Sequence, residues 1–150
     1  MPTPPIEVAA PRRSGGRRAL RWLWRAAGWA HLVLALVIVA GVFLQVYLIG
    51  AYVFGAGPGA LHAHESVGFT VHGLEVLVLL VALVAWLPRA DLVLSLLLAV
   101  VGTVQIALAG SERWVGGLHP LLALVVLGLA VALLQRKRPL RRRGSATLGA

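Results

Sequence analysis

Residues 28–54 read GWAHLVLALVIVAGVFLQVYLIGAYVF, a run without a single Asp, Glu, Lys or Arg. An α-helix rises 1.5 Å per residue, so ~20 apolar residues cross the ~30 Å hydrocarbon layer of a bilayer. This run is long enough to cross. The chain then repeats the theme. Gly55-Ala56-Gly57-Pro58-Gly59 breaks the helix, because Gly and Pro are the strongest local punctuators. A second apolar span covers about 64–87 and ends at Pro88-Arg89; a third covers about 91–110. Asp91 opens the third, where a carboxylate suits the positive end of a helix dipole. Ser111 to Gly117 is a short polar turn, and a fourth span, about 118–135, stops at Arg136-Lys137-Arg138-Pro139. Short turns between spans predict an all-α, antiparallel four-transmembrane-helix bundle, running up-down-up-down.

Composition agrees. Of the 150 residues, 59% are hydrophobic and 13% charged, and the mean hydropathy is +0.88. Soluble domains carry roughly 25% charged residues. The transmembrane domain occupies 21–136, leaving no room for a second domain. Residues 1–20, rich in Pro, Gly, Ala and Arg, read as a disordered basic tail, and 137–150 as another. The paired arginines near the start resemble an export signal, but the apolar run after them is too long and lacks a small-residue cleavage site, so it reads as an anchor. A net charge of +9 points to nucleic acid in a soluble protein. Here the basic residues flank apolar spans instead, so no nucleic-acid partner is expected and the first partner is the lipid bilayer. The chain has no cysteine, which excludes thiolate metal sites, thiol redox chemistry and disulfides.

Basic residues collect on the cytoplasmic side of membrane proteins. Placing both tails and the Pro88–Asp91 turn inside puts 13 of the 14 Lys and Arg residues in the cytoplasm and leaves only Arg113 outside. Both termini are therefore expected to be cytoplasmic. No internal repeat stands out, beyond the second and fourth spans each beginning with a histidine.

Polar side chains within apolar spans are costly and mark candidate sites. They are His31, Gln45, His62, His64, Glu65, His72, Glu75, Gln105 and His119. With the N-terminus inside, His62, His64 and His119 lie at the outer boundary. At 1.5 Å per residue, Gln105 lies roughly 7 Å below it and His72 roughly 12 Å below, with Gln45 at a similar depth. Glu75 is near the midplane, and His31 stands alone at the cytoplasmic end.

The second span concentrates the signal in H-E-x-x-G-x-x-x-H-x-x-E, His64 to Glu75. At 100° per residue, His64 and Glu75 are ~20° apart in azimuth, and Gly68 lies between them on the same face, removing bulk. His72 is one turn from Glu75, within hydrogen-bond reach, and a carboxylate so placed fixes the tautomer of a ligand histidine. The plain alternative is a protonated Glu75 packed between helices. His119 precedes Pro120 and opens the fourth helix, where the dipole favours a neutral imidazole free to bind metal. On the third span, Ser95, Ala99 and Gly102 form a small-residue stripe that lets helices approach closely.

Bis-histidine haem ligation in a four-helix bundle needs little beyond two opposed imidazoles, an apolar slot and a glycine for clearance. The expected pair is His64 with His119, and the deeper alternative is His72 with His119. Gly68, Glu75, Gln105 and Gln45 complete the expected cofactor surroundings. A zinc site would take His62, His64 and His119 with a carboxylate, on the weaker evidence of H-x-H before a helix.

These residues carry a resemblance. His64 four residues before Gly68, Gln105 late in the third span, and Leu118-His119-Pro120 are similar to a family of small, mostly actinobacterial four-helix membrane proteins without assigned activity. The similarity covers about 22–135 and implies topology, in a bacterial plasma membrane. More distantly, the H-x-x-x-G opening resembles membrane b-type cytochromes and one half of haem A synthase, which implies helix histidines binding haem. Those families place a second histidine pair toward the other leaflet, where this chain has only His31. The expected function is one b-type haem near the outer face, in electron transfer or haem handling. Two alternatives stand beside it: a non-catalytic accessory subunit of a larger respiratory-type membrane complex or a homo-oligomer, and a quinone or lipid pocket lined by the same histidines. There is no nucleotide motif, no nucleophile–base pair and no continuous polar stripe for a transport path, and whether the chain is an enzyme is left open.

Overall fold

The computed structural model describes residues 14–136 apart from Glu112. Both expected tails lie outside the described residues, except for 14–20. The elements are α1 (Ser14–Val53), α2 (Pro58–Val84), α3 (Arg89–Ala109), the single turn α4 (Arg113–Gly116) and α5 (Leu118–Arg136). Helix α1 begins at Ser14, so residues 14–20 are helical where the reading above expects a tail. From Arg17 to Ala27 the chain is mostly Arg, Ala, Leu and Trp without proline, and good helix formers continue a helix that the apolar run already nucleates. Helix α2 begins at Pro58, six residues before the expected start, because proline is well suited to a first helical turn.

Among the described residues, four helices are long and apolar enough to cross a membrane: Arg18–Val53, Pro58–Val84, Arg89–Ala109 and Trp114–Arg136. Their outer surfaces are apolar too, with Phe43, Val46, Leu80, Leu96 and Leu124 all exposed. Helices apolar all round belong in a larger core or a bilayer, so this is the pattern of a multi-pass membrane protein.

Helix α1 packs on α2 and α5, and α3 packs on the same two, which makes α2 and α5 diagonal partners. The buried positions follow a four-three spacing: His31, Ala35, Ile38 and Val42 on α1; Val71, Glu75, Val78 and Ala82 on α2; Asp91, Ser95, Leu98 and Gly102 on α3; Val126, Ala130 and Leu133 on α5. That spacing gives a coiled-coil-like seam on each helix.

Aligned on these seams, the chain is a duplication of one hairpin. Ala30, Leu32, Val33, Leu34, Leu36, Gln45, Leu48 and Gly50 recur 60 positions later as Ala90, Leu92, Val93, Leu94, Leu96, Gln105, Leu108 and Gly110. His64, Val71, Gly73, Leu74, Val76 and Leu79 recur 55 positions later as His119, Val126, Gly128, Leu129, Val131 and Leu134. The burial pattern repeats with the same offsets. Structure thus supplies the repeat that the unaligned sequence conceals.

Helices α1 and α2 end in the same kind of turn. Ala56 N–H donates to Ala51 O around Gly55 (φ 95°), and Leu87 N–H donates to Ala82 O around Trp86 (φ 48°). A left-handed backbone costs roughly 1–2 kcal/mol in any residue but glycine, and Trp86 is 81% exposed, so its ring recovers little by packing. Trp86→Gly should therefore stabilise the detergent-solubilised protein by about 1 kcal/mol. An unchanged or lowered unfolding midpoint would show that the exposed ring compensates for the strain.

Candidate functional site

At the end of the bundle where α1 and α3 finish and α2 and α5 begin, two histidines meet from the diagonal helices. The rings of His64 and His119 stand 6.2 Å apart between centroids, at 77° to one another. Each is anchored in the same way. His64 Nδ1–H donates to Gln45 O (3.1 Å), and His119 Nδ1–H donates to Gln105 O (3.0 Å). A backbone carbonyl only accepts, so Nδ1 carries the hydrogen in both rings. In the neutral imidazole Nε2 then holds a lone pair, the arrangement that prepares a histidine for a metal. The repeat places the two anchors identically, one per hairpin.

Gln45 and His64 are locked reciprocally, since Gln45 Nε2 donates to His64 O (2.8 Å). A Cβ on Gly68 would come within 3.0 Å of that nitrogen. The clearance expected of Gly68 is used by the Gln45 amide, which must pass there to reach the helix backbone. Gln105 Oε1, its counterpart in the other hairpin, is buried without a hydrogen-bond partner among the described residues.

Further along the core lies a second polar group. His72 Nδ1 and Glu75 Oε2 are 3.1 Å apart, and Glu75 is fully buried. Thr103 Oγ donates to Ala99 O (2.8 Å) and sits 3.5 Å from His72 Nε2. Gly102 makes this possible, because a Cβ there would collide with Glu75 Oε2 and crowd His72 Nδ1. The close approach expected of the small stripe Ser95, Ala99 and Gly102 is thus spent on admitting a carboxyl. Both His72 nitrogens face partners in this group, so His72 is not at the ring pair.

At the opposite end His31 is not alone. It is buried, with Nε2 2.9 Å from Ser95 Oγ, and Ser95 Oγ donates to Asp91 O (2.8 Å). Asp91, buried in the first turn of α3, pairs with Arg136 at the end of α5. Ser95, Thr103 and Arg136 were absent from the sequence-based candidates for chemistry. The signal for Asp91 and Arg136 was available: an acid opening one helix and a base closing its antiparallel neighbour share a level. His62 is exposed and pairs loosely with exposed Glu65 (3.6 Å). The set expected for zinc is not assembled, and among the described residues no three His, Cys, Asp or Glu side chains are grouped to hold a metal ion.

Two open apolar grooves mark the surface. One of about 640 Å³ is lined by Val46, Tyr47, Gly50 and Phe54, and one of about 460 Å³ by Leu23, Ala27, Leu77 and Val84. Neither is lined by the histidine pair. Comparison with protein-family models, curated proteins and solved structures finds no match.

Proposed function

We propose that this chain is a small bacterial plasma-membrane protein that holds one b-type haem between His64 and His119, in electron transfer or haem handling. The observation that carries this reading is the ring pair. Two metal–nitrogen bonds of about 2.0 Å each, added to the half-widths of two rings, put imidazole centroids roughly 6 Å apart. The pair stands at 6.2 Å, with both Nδ1 atoms committed to carbonyls. Two imidazoles without a third protein ligand suit a metal that brings its own remaining donors, as iron in a porphyrin does; a zinc ion usually asks the protein for three or four. A haem held by these two imidazoles would supply single-electron transfer. The chain's own part is to fix both tautomers and to hold the two rings at this separation.

The orientation belongs to the same reading: both termini in the cytoplasm, on the distribution of Lys and Arg, with the ring pair near the outer face. A reporter fused after Ala150 should then be active only in the cytoplasm, and one inserted at Gly57–Pro58 only outside. Export of the C-terminal reporter would reverse the topology.

An absorption spectrum with a haem and metal assay of the detergent-purified protein tests the cofactor. A Soret band and the reduced α-band of a six-coordinate b haem, at one per chain, are expected. Stoichiometric metal without porphyrin would replace haem by a bare ion. Colourless, metal-free protein from haem-replete cells would sink the reading, and co-purification with a large membrane complex would then favour the accessory subunit.

A further inference from the structure

The duplication separates what packing requires from what it does not. The contact of α2 with α3 corresponds, in the repeat, to that of α5 with α1. At the first contact stand His72, Glu75, Gly102 and Thr103. The equivalent positions hold Leu127, Ala130, Val42 and Phe43. Val42 and Ala130 are buried as completely as a packed seam demands. The same place in the same fold is therefore filled without any polar atom. Burying a carboxyl in an apolar core is unfavourable, and nothing in the packing calls for it. At this contact the four differences fall on one side, where His72, Glu75 and Thr103 form one polar group and Gly102 makes room for it.

The hydrogen bonds also limit its protons. Thr103 spends its hydroxyl hydrogen on Ala99 O, so towards His72 Nε2, 3.5 Å away, it offers only a lone pair, which suits a hydrogen on Nε2. Between His72 Nδ1 and Glu75 Oε2 there is then room for one proton. It sits either on the carboxyl of a neutral pair or on Nδ1 of an ion pair. Glu75 Oε1 is buried without a hydrogen-bond partner among the described residues, so no other group shares the carboxyl. Between the two ends of the bundle, the buried seam positions of the other helices are Ile38 and Val42 on α1, Leu98, Ala99 and Gly102 on α3, and Val126 and Ala130 on α5, none of them titratable. The other buried or half-buried titratable groups stand towards the ends of the bundle: His64 and His119 at one, His31 and Asp91 with Arg136 at the other.

We infer that His72 and Glu75 form a proton-binding site that takes up and releases a single proton, shared between Glu75 Oε2 and His72 Nδ1. This goes beyond the haem reading and does not rest on it. Proton uptake here supplies the pair with a second hydrogen; release leaves a carboxylate and a neutral imidazole whose single ring hydrogen Nδ1 can present to Glu75 Oε2.

The test is infrared difference spectroscopy on the full-length protein in detergent, stepped between about pH 9 and about pH 5. Subtracting the Glu75→Gln spectra isolates Glu75 from the other carboxyls. A deuterium-sensitive carboxyl signal that titrates as one proton per chain is expected, with its midpoint moved by a unit or more in His72→Leu. Should Glu75→Gln fail to fold, the pair Glu75→Ala with Gly102→Val, which copies Ala130 and Val42, serves as the reference. Identical wild-type and reference difference spectra, or a Glu75 signal that ignores pH throughout, would overturn the inference. The measurement needs no cofactor, so a colourless protein leaves it intact.

Discussion

With His64 or His119 replaced by alanine, the purified protein is expected to lose the six-coordinate b-haem spectrum while remaining helical and monodisperse. Either change removes one of only two side-chain donors at the ring pair, so no neighbouring group substitutes for it. Losing a mere hydrogen-bond partner of a metal ligand typically costs 10–100-fold in affinity, so haem content should fall at least about tenfold when the ligand itself goes. His62→Ala makes the control, because His62 is exposed and its ion-pair partner is the exposed Glu65. Its spectrum should match the parent. Unchanged spectra in both His64→Ala and His119→Ala would remove the ring pair from the cofactor and the proposed function with it.

Gly102→Val should be the most destabilising single change in the core, and a second mutation should rescue it. Even a Cβ at 102 overlaps Glu75 Oε2, and the two further methyl groups of valine add to the collision. Overpacking alone costs roughly 1–3 kcal/mol, and displacing a buried carboxyl from its histidine adds to it. Combining Gly102→Val with Glu75→Ala installs the pair Val42–Ala130 at the matching contact, so most of the loss should return. Unfolding midpoints of the parent, both single variants and the double variant in one detergent measure the coupling. Contacting residues are non-additive by roughly 0.5–3 kcal/mol. Simple additivity would show that the two contacts are not equivalent and would undo the comparison of the two hairpins.

The spans were legible because length and apolarity decide them locally. Residue periodicity also placed His72 beside Glu75, since an i,i+3 relation is a property of one helix. What the sequence could not display is contact across helices. The partners of His64 and His119 are backbone carbonyls, which every residue has, so no side-chain pattern announces Gln45 and Gln105 as their anchors. Gly68 illustrates the same limit. Its missing side chain is visible, but only the fold shows that the Gln45 amide occupies the space. The repeat was hidden for a different reason. The link from glutamine to histidine is 19 residues in the first hairpin and 14 in the second, so no single offset aligns both helices at once.

That the two hairpins form one chain also changes what the core can contain. In a symmetric pair of identical hairpins, any acid introduced on one second helix appears on the other too. Two buried carboxyls would then be desolvated for every one that is useful. Covalent linkage lifts the constraint. One half can carry Glu75 and His72 while the other keeps Ala130 and Leu127 as apolar ballast, and the paired imidazoles on the shared axis still find their matching carbonyls. Fusion thereby lets a lone polar group coexist with a two-fold scaffold, a combination no homodimer of the single hairpin can reach.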